Sequence, residues 1–169
     1  CQEANIVPIV EPEVLMDGDH DIARCAGVTE AVLAEVFHAL RRHAVTLEHM
    51  LLKPSMVTPG KACAGRAPPA EVAQASLTVL RRTVPAAMPG IFFLSGGQTP
   101  QEATANLDAM NRRGGQPWVL SFSYGRALQE PVLKAWQGKA GNAGAAQAAL
   151  AKRAKLNGAA RDGRYDASM

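Results

Sequence analysis

The stretch Val45-Thr46-Leu47-Glu48-His49-Met50-Leu51-Leu52-Lys53-Pro54-Ser55 decides how this chain is read. Its apolar residues lead to a lysine and are stopped at once by proline. That is the pattern of a strand buried in a parallel sheet, running from Val45 to Lys53 and delivering one amine to its carboxyl end. A strand interior is a poor place for lysine. Held in a closed, partly desolvated mouth, the amine can lose its proton near neutral pH and attack a carbonyl to form a Schiff base. The plainer alternative is a lysine that snorkels from a strand end into water.

Working outward, the same strand-then-helix rhythm occurs four times. Before the lysine stretch, Ile6-Val7-Pro8-Ile9-Val10 reads as a strand running into Glu11-Pro12-Glu13, although Pro8 lacks a ladder donor and suits only an edge. The helix that follows carries Val28, Val32, Leu33, Val36, Phe37 and Leu40 at helical spacing. After the lysine, a loop from Pro54 to Pro69 leads into a helix from about Ala70 to Thr83. The third unit is Ile91-Phe92-Phe93-Leu94, ending at Ser95-Gly96-Gly97-Gln98. Its helix is announced by Thr99 as cap, Pro100 in the first position and Glu102 closing a capping box. The fourth is Trp118 to Tyr124, ending at Gly125-Arg126, with an alanine-rich helical tail from roughly Ala127 to Ala160.

Alternating strands and helices imply an α/β fold with a parallel sheet. The strand ends at Glu11, Lys53, Ser95 and Arg126 are 42, 42 and 31 residues apart. A (β/α)8 TIM barrel uses about 31 residues per unit, more with insertions, so four units amount to about half of one. The chain also opens on Cys1 with little ahead of its first strand, as though cut from a longer polypeptide.

Bulk properties exclude several classes. A net charge of +3 suits a phosphorylated metabolite and falls far short of the basic stripe that binds nucleic acid. No apolar run reaches the roughly 20 residues that span a bilayer, and no signal peptide opens the sequence. Cys1, Cys25 and Cys63 are widely spaced and odd in number, which points to free thiols in a reducing, cytoplasmic setting. His38, His43 and His49 lack metal-ligand spacing, and Asp17-Gly18-Asp19-His20-Asp21 lacks the distal glutamate of a calcium loop, so no metal is expected and that run reads as a helix-entry turn. Trp118, Phe92, Phe93 and Phe122 read as core, and Lys152, Arg153 and Lys155 as a solvated helix face.

Parallel neighbours would gather four kinds of group at one mouth, the face on which barrels build active sites. Glu11 and Glu13 share a side of an extended segment, and a carboxyl group can move the protons that carbinolamine chemistry requires. Without Lys53, Glu11 would be read as a salt-bridge residue. Ser95-Gly96-Gly97 lets backbone N–H groups approach an anion ahead of a helix N-terminus, and Gly125-Arg126 can add a bidentate pair. Each of these two motifs alone is equally a simple turn or a solvated charge.

Taken together, Val10-Glu11-Pro12-Glu13, Leu47 to Ser55, Leu94-Ser95-Gly96-Gly97-Gln98 and Ser123-Tyr124-Gly125-Arg126-Ala127-Leu128 resemble class I fructose-bisphosphate aldolase, in the same order and over nearly the whole chain. The resemblance covers the carboxyl-terminal half of a family member. It implies that residues 1–169 supply about the last four βα units of one TIM barrel plus a helical tail. It also implies reversible cleavage of fructose 1,6-bisphosphate into dihydroxyacetone phosphate and glyceraldehyde 3-phosphate, without metal or cofactor, by a homotetramer. Lys53 then matches the Schiff-base lysine, Glu11 the proton-shuttling glutamate and Glu13 its acidic neighbour. Ser95, Gly96, Gly125 and Arg126 match the site for the ketose phosphate. His49 stands where the family pattern has glycine. The family's remaining catalytic aspartate and lysine belong to its amino-terminal half, so the isolated chain is expected to be inactive. Two other readings stay open: a phosphometabolite-binding or scaffolding protein without turnover, and another Schiff-base barrel such as a transaldolase.

Overall fold

A computed structural model describes all of residues 1–169. Four strands, β1 (Ile9–Val10), β2 (Leu51–Leu52), β3 (Gly90–Phe93) and β4 (Val119–Phe122), form one parallel sheet in the order β1-β2-β3-β4. Each crossover carries a helix: α1 (Ile22–Arg42), α2 (Pro69–Thr83) and α3 (Pro100–Arg113), with α4 (Arg126–Trp136) and α5 (Ala143–Arg161) after β4. Strand order follows chain order without reversal. A doubly wound sheet would reverse at a switch point; steady growth to one side, with right-handed crossovers, keeps the helices on one face as a barrel requires.

The core lies between sheet and helices. Leu52, Ile91, Phe93 and Leu120 from the strands are sealed against Leu33, Val72, Leu77, Leu107 and Met110 from the helices. The expected capping box is present: Thr99 accepts from the Glu102 N–H, and the Glu102 carboxylate accepts from the Thr99 N–H at 2.9 Å. Asp21 caps α1 by accepting from the Arg24 N–H at 2.7 Å, so the Asp17–Asp21 run is a helix entry.

Three expectations are corrected. The lysine stretch is not one strand. Leu47–His49 forms a 3₁₀ turn, and only Leu51–Leu52 pairs in the sheet, leaving Lys53 just past the strand end. The cause is distant in sequence: the Gln2 carboxamide accepts from the Thr46 N–H and donates to Thr46 O, so those backbone groups need no ladder partner. His49 consequently sits exposed on the turn, where a side chain meets no packing conflict. The first strand is likewise only Ile9–Val10, and the Pro8 carbonyl still accepts from the Leu51 N–H at 3.0 Å, as an edge position allows. The tail is two helices. Gln137 (φ 54°) and Gly138 (φ 72°) turn left-handed after α4, closing it before α5 doubles back.

Both sheet edges remain apolar. Ile9 on β1 is 54% exposed and Val119 on β4 is 48% exposed, although neither would be left so in a closed barrel wall. No helix is long and apolar enough to cross a membrane.

Candidate active site

The sheet register sets the site. Lys53 N donates to Val10 O at 2.8 Å, Leu94 N to Pro54 O at 3.1 Å, and Ser123 N to Phe93 O at 2.9 Å. These bonds align the carboxyl ends of all four strands along one rim. With parallel strands about 4.8 Å apart, Glu11 and Lys53 are one strand step apart, Ser95 one step further and Arg126 two steps from Lys53.

Within this rim, Lys53 and Glu11 meet directly, Nζ to Oε1 at 2.9 Å. The lysine side chain is 20% exposed and the carboxylate 49%. An ion pair this open contributes about 0–1 kcal/mol, too little to explain the pair as a brace. Glu11 and Glu13 alternate with the half-buried Pro12 and Val14, so both acids face the same exposed side, with Glu13 two residues beyond the contact. Ser95 is buried, and Gly96 (φ 51°) and Gly97 (φ 74°) take the left-handed conformation that closes the turn, with Gln98 N donating to Ser95 O at 3.0 Å. Next to it α3 starts at Pro100, and Arg126 opens α4 directly after Gly125, exposed to solvent. The fold thus brings Lys53 and Glu11 into contact and places Ser95, Gly96, Gly125 and Arg126 on the adjacent strand ends.

Sequence reasoning missed what holds the rim. The loops after β1 and β2 are joined by Gly60 N to His20 O (2.9 Å), Lys61 N to Met16 O (2.8 Å) and Ala62 N to Gly18 O (2.9 Å). Ser55 Oγ, buried, accepts from the Val14 N–H at 2.8 Å, pinning the segment that carries Glu11 and Glu13 beside the one that carries Lys53. A Cβ on Gly60 would lie 2.3 Å from the Gly18 carbonyl oxygen, so only glycine fits. The Pro59-Gly60 dipeptide was the one sequence signal available. Gly60→Ala is therefore expected to lower stability by about 1–3 kcal/mol, as overpacking against rigid backbone does, read from the midpoint of urea unfolding.

A second correction concerns the tail. Arg153, expected among solvated charges, is 6% exposed and lies between α5 and α3. A cavity of about 420 Å³ beside Gly96–Gln98, reached by Lys61, Arg66 and Tyr165, lies outside the Lys53–Glu11 contact and shares none of its residues.

The chain is similar to known proteins over its whole length. The family description "Fructose-bisphosphate aldolase class-I", classed as glycolytic, matches residues 1–169. Fructose-bisphosphate aldolase C of Mus musculus is 59% identical over 169 residues, covering 99% of this chain and 47% of its own length. The chloroplastic fructose-bisphosphate aldolase 1 of Chlamydomonas reinhardtii is also 59% identical, over 99% of this chain and 44% of its own length. A solved structure of fructose-bisphosphate aldolase from Plasmodium falciparum, in complex with TRAP and a small-molecule inhibitor, superposes with a TM-score of 0.96 at 51% identity, over 98% of this chain and 48% of that one. The chain spans about half the length of the relatives it matches.

Proposed function

The chain belongs to the class I fructose-bisphosphate aldolase family, and from that premise we propose that residues 1–169 are the carboxyl-terminal half of a barrel that cleaves fructose 1,6-bisphosphate through a Schiff base on Lys53. The observation that carries the reading is the 2.9 Å contact between Lys53 Nζ and Glu11 Oε1 at the shared rim. The exposed apolar edges at Ile9 and Val119 support the half-barrel reading, since four further strand-helix units would cover both.

In this reading Glu11 first takes the ammonium proton, and the free amine attacks the ketone carbon to form a carbinolamine. The protonated Glu11 returns a proton to the departing hydroxyl, water leaves, and a cationic iminium remains on Lys53. Glu11, a carboxylate again, takes the proton of the hydroxyl on the departing carbon as the carbon–carbon bond breaks; the iminium accepts that bond's electron pair, the aldehyde leaves, and an enamine remains. Protonation and hydrolysis of the enamine return the amine and release dihydroxyacetone phosphate. Glu13, on the same side as Glu11, is the acidic neighbour that supports the shuttle.

The ketose phosphate is held by the Ser95-Gly96 backbone at the entry to α3 and by Gly125 and Arg126 at the entry to α4. Arg126→Ala is expected to raise KM about 10- to 100-fold with a smaller change in kcat, measured by steady-state cleavage kinetics.

Borohydride trapping tests the whole proposal. With dihydroxyacetone phosphate and the full-length polypeptide, reduction should leave a secondary amine at Lys53, located by peptide mass mapping. Absence of that adduct removes the lyase reading and leaves a phosphometabolite-binding protein. The three free thiols suit a reducing compartment such as the cytosol. The tetramer that the resemblance implies is to be read from sedimentation of the full-length protein.

A further inference from the structure

Arg153 is a buried guanidinium with no anion beside it. Its Nη2 donates to Pro100 O at 2.6 Å and to the hydroxyl of Thr104, with Asn157 Oδ1 at 3.5 Å. All of these acceptors are neutral. None of the ion pairs in the molecule includes Arg153, and its buried Nε has no hydrogen-bond partner. Buried charges in proteins are ordinarily paired, because neutral acceptors replace only part of the lost hydration. Burial also draws this guanidinium below the ordinary arginine pKa, a direction that a nearby anion would oppose.

Next to it, between α3, α4, α5 and the segment after α5, lies a cavity of about 290 Å³ whose lining includes Arg153 and Lys152 and no acidic side chain. Its other walls are mostly apolar, with Ala149 and Leu156 from α5, Pro131 from α4, and Met169, beside two neutral polar side chains, Gln101 from α3 and Tyr165. That size is just under the roughly 300–1,000 Å³ range of sites for drug-sized molecules, which suits a smaller ligand. Cations on one side and mostly hydrocarbon on the others match a ligand with one negative head and a short apolar body. A sugar phosphate, polar throughout, would waste the apolar walls, and a fully apolar ligand would leave Arg153 without its counter-ion.

We infer that this cavity is a second small-molecule site, separate from the Lys53 rim, and that it takes a medium-chain organic carboxylate with its head on Arg153 and Lys152. The inference does not depend on the carbon–carbon chemistry proposed above, because its test reads binding alone.

The test is isothermal titration calorimetry of octanoate into the full chain. Saturable one-to-one binding is expected, with octan-1-ol and inorganic phosphate each at least about tenfold weaker, since one lacks the charge and the other the hydrocarbon. Arg153→Met should weaken octanoate about tenfold or more. Because that change also strips hydrogen bonds from Pro100, Thr104 and Asn157, a second variant guards against misfolding. Ala149→Leu, on the cavity wall, fills the space while leaving the guanidinium in place, and should also abolish binding with an unchanged circular dichroism spectrum. The inference is overturned if octanoate does not saturate, if octanol or phosphate binds as tightly, or if folded Ala149→Leu binds octanoate like the parent.

Discussion

Replacing Lys53 by methionine is expected to reduce fructose 1,6-bisphosphate cleavage by the full-length polypeptide to background, a loss on the order of 10⁴-fold or more, because no other group on this rim can form the covalent intermediate. Methionine keeps most of the length and apolar stem of lysine, so the change isolates the amine. The parent contact is a half-open ion pair worth about 0–1 kcal/mol, so the midpoint of unfolding should hardly move. Substrate phosphate should still bind, since the proposed phosphate site at Ser95, Gly96, Gly125 and Arg126 is untouched. The measurement is therefore threefold: turnover, borohydride labelling and equilibrium binding of the product phosphate. Residual turnover with labelling elsewhere would move the nucleophile to another residue. Loss of binding together with turnover would mean that the lysine acts as a charge and not as a nucleophile.

Phe93→Ala should have the largest effect on folding. Phe93 is fully buried in β3, an inner strand of the sheet, and its carbonyl accepts the Ser123 N–H that aligns the end of β4 with the rim. Removing a buried phenyl ring costs about 3–5 kcal/mol, through lost burial and through the cavity left behind. Against a typical total of about 5–15 kcal/mol, that is a large share of the stability. The midpoint of urea unfolding should fall with little change in its slope. The rim has a stake in the result, because β3 lies between the strand before Lys53 and the strand before Arg126. A destabilisation below about 1 kcal/mol would mean that the space collapses and that the packing around β3 is looser than it looks.

How much of this was legible in the residues depended on the range of the interaction involved. The capping box at Thr99 and Glu102 is local, and it forms as read. The four strand-helix units follow from periodicity and punctuation, and the parallel sheet follows from them. The run from Val45 to Met50 misled because an apolar stretch does not show whether its backbone groups bond to a sheet or elsewhere, and here the deciding partner is the side chain of Gln2, 44 residues before Thr46. Alanine-rich sequence on both sides of Gln137-Gly138 favours one unbroken tail helix, while the left-handed turn that divides it is a matter of two residues. By composition Arg153 belongs with Lys152 and Lys155 on a solvated face. Its burial comes from the packing of α5 on α3, between Thr104 and Asn157, which no local pattern encodes. At the candidate site, the meeting of Lys53 and Glu11 could be read from strand endings, whereas the bonds of Ser55, Gly60 and Lys61 that join their loops could not.

The three backbone bonds between residues 16–20 and 60–62 carry a kinetic consequence. Segments outside helices and strands usually exchange their amide hydrogens quickly, yet the amides of Gly60, Lys61 and Ala62 each donate across this seam. Deuterium should enter there slowly and at one common rate, as if the two segments were a short hairpin. The seam would then open as a unit.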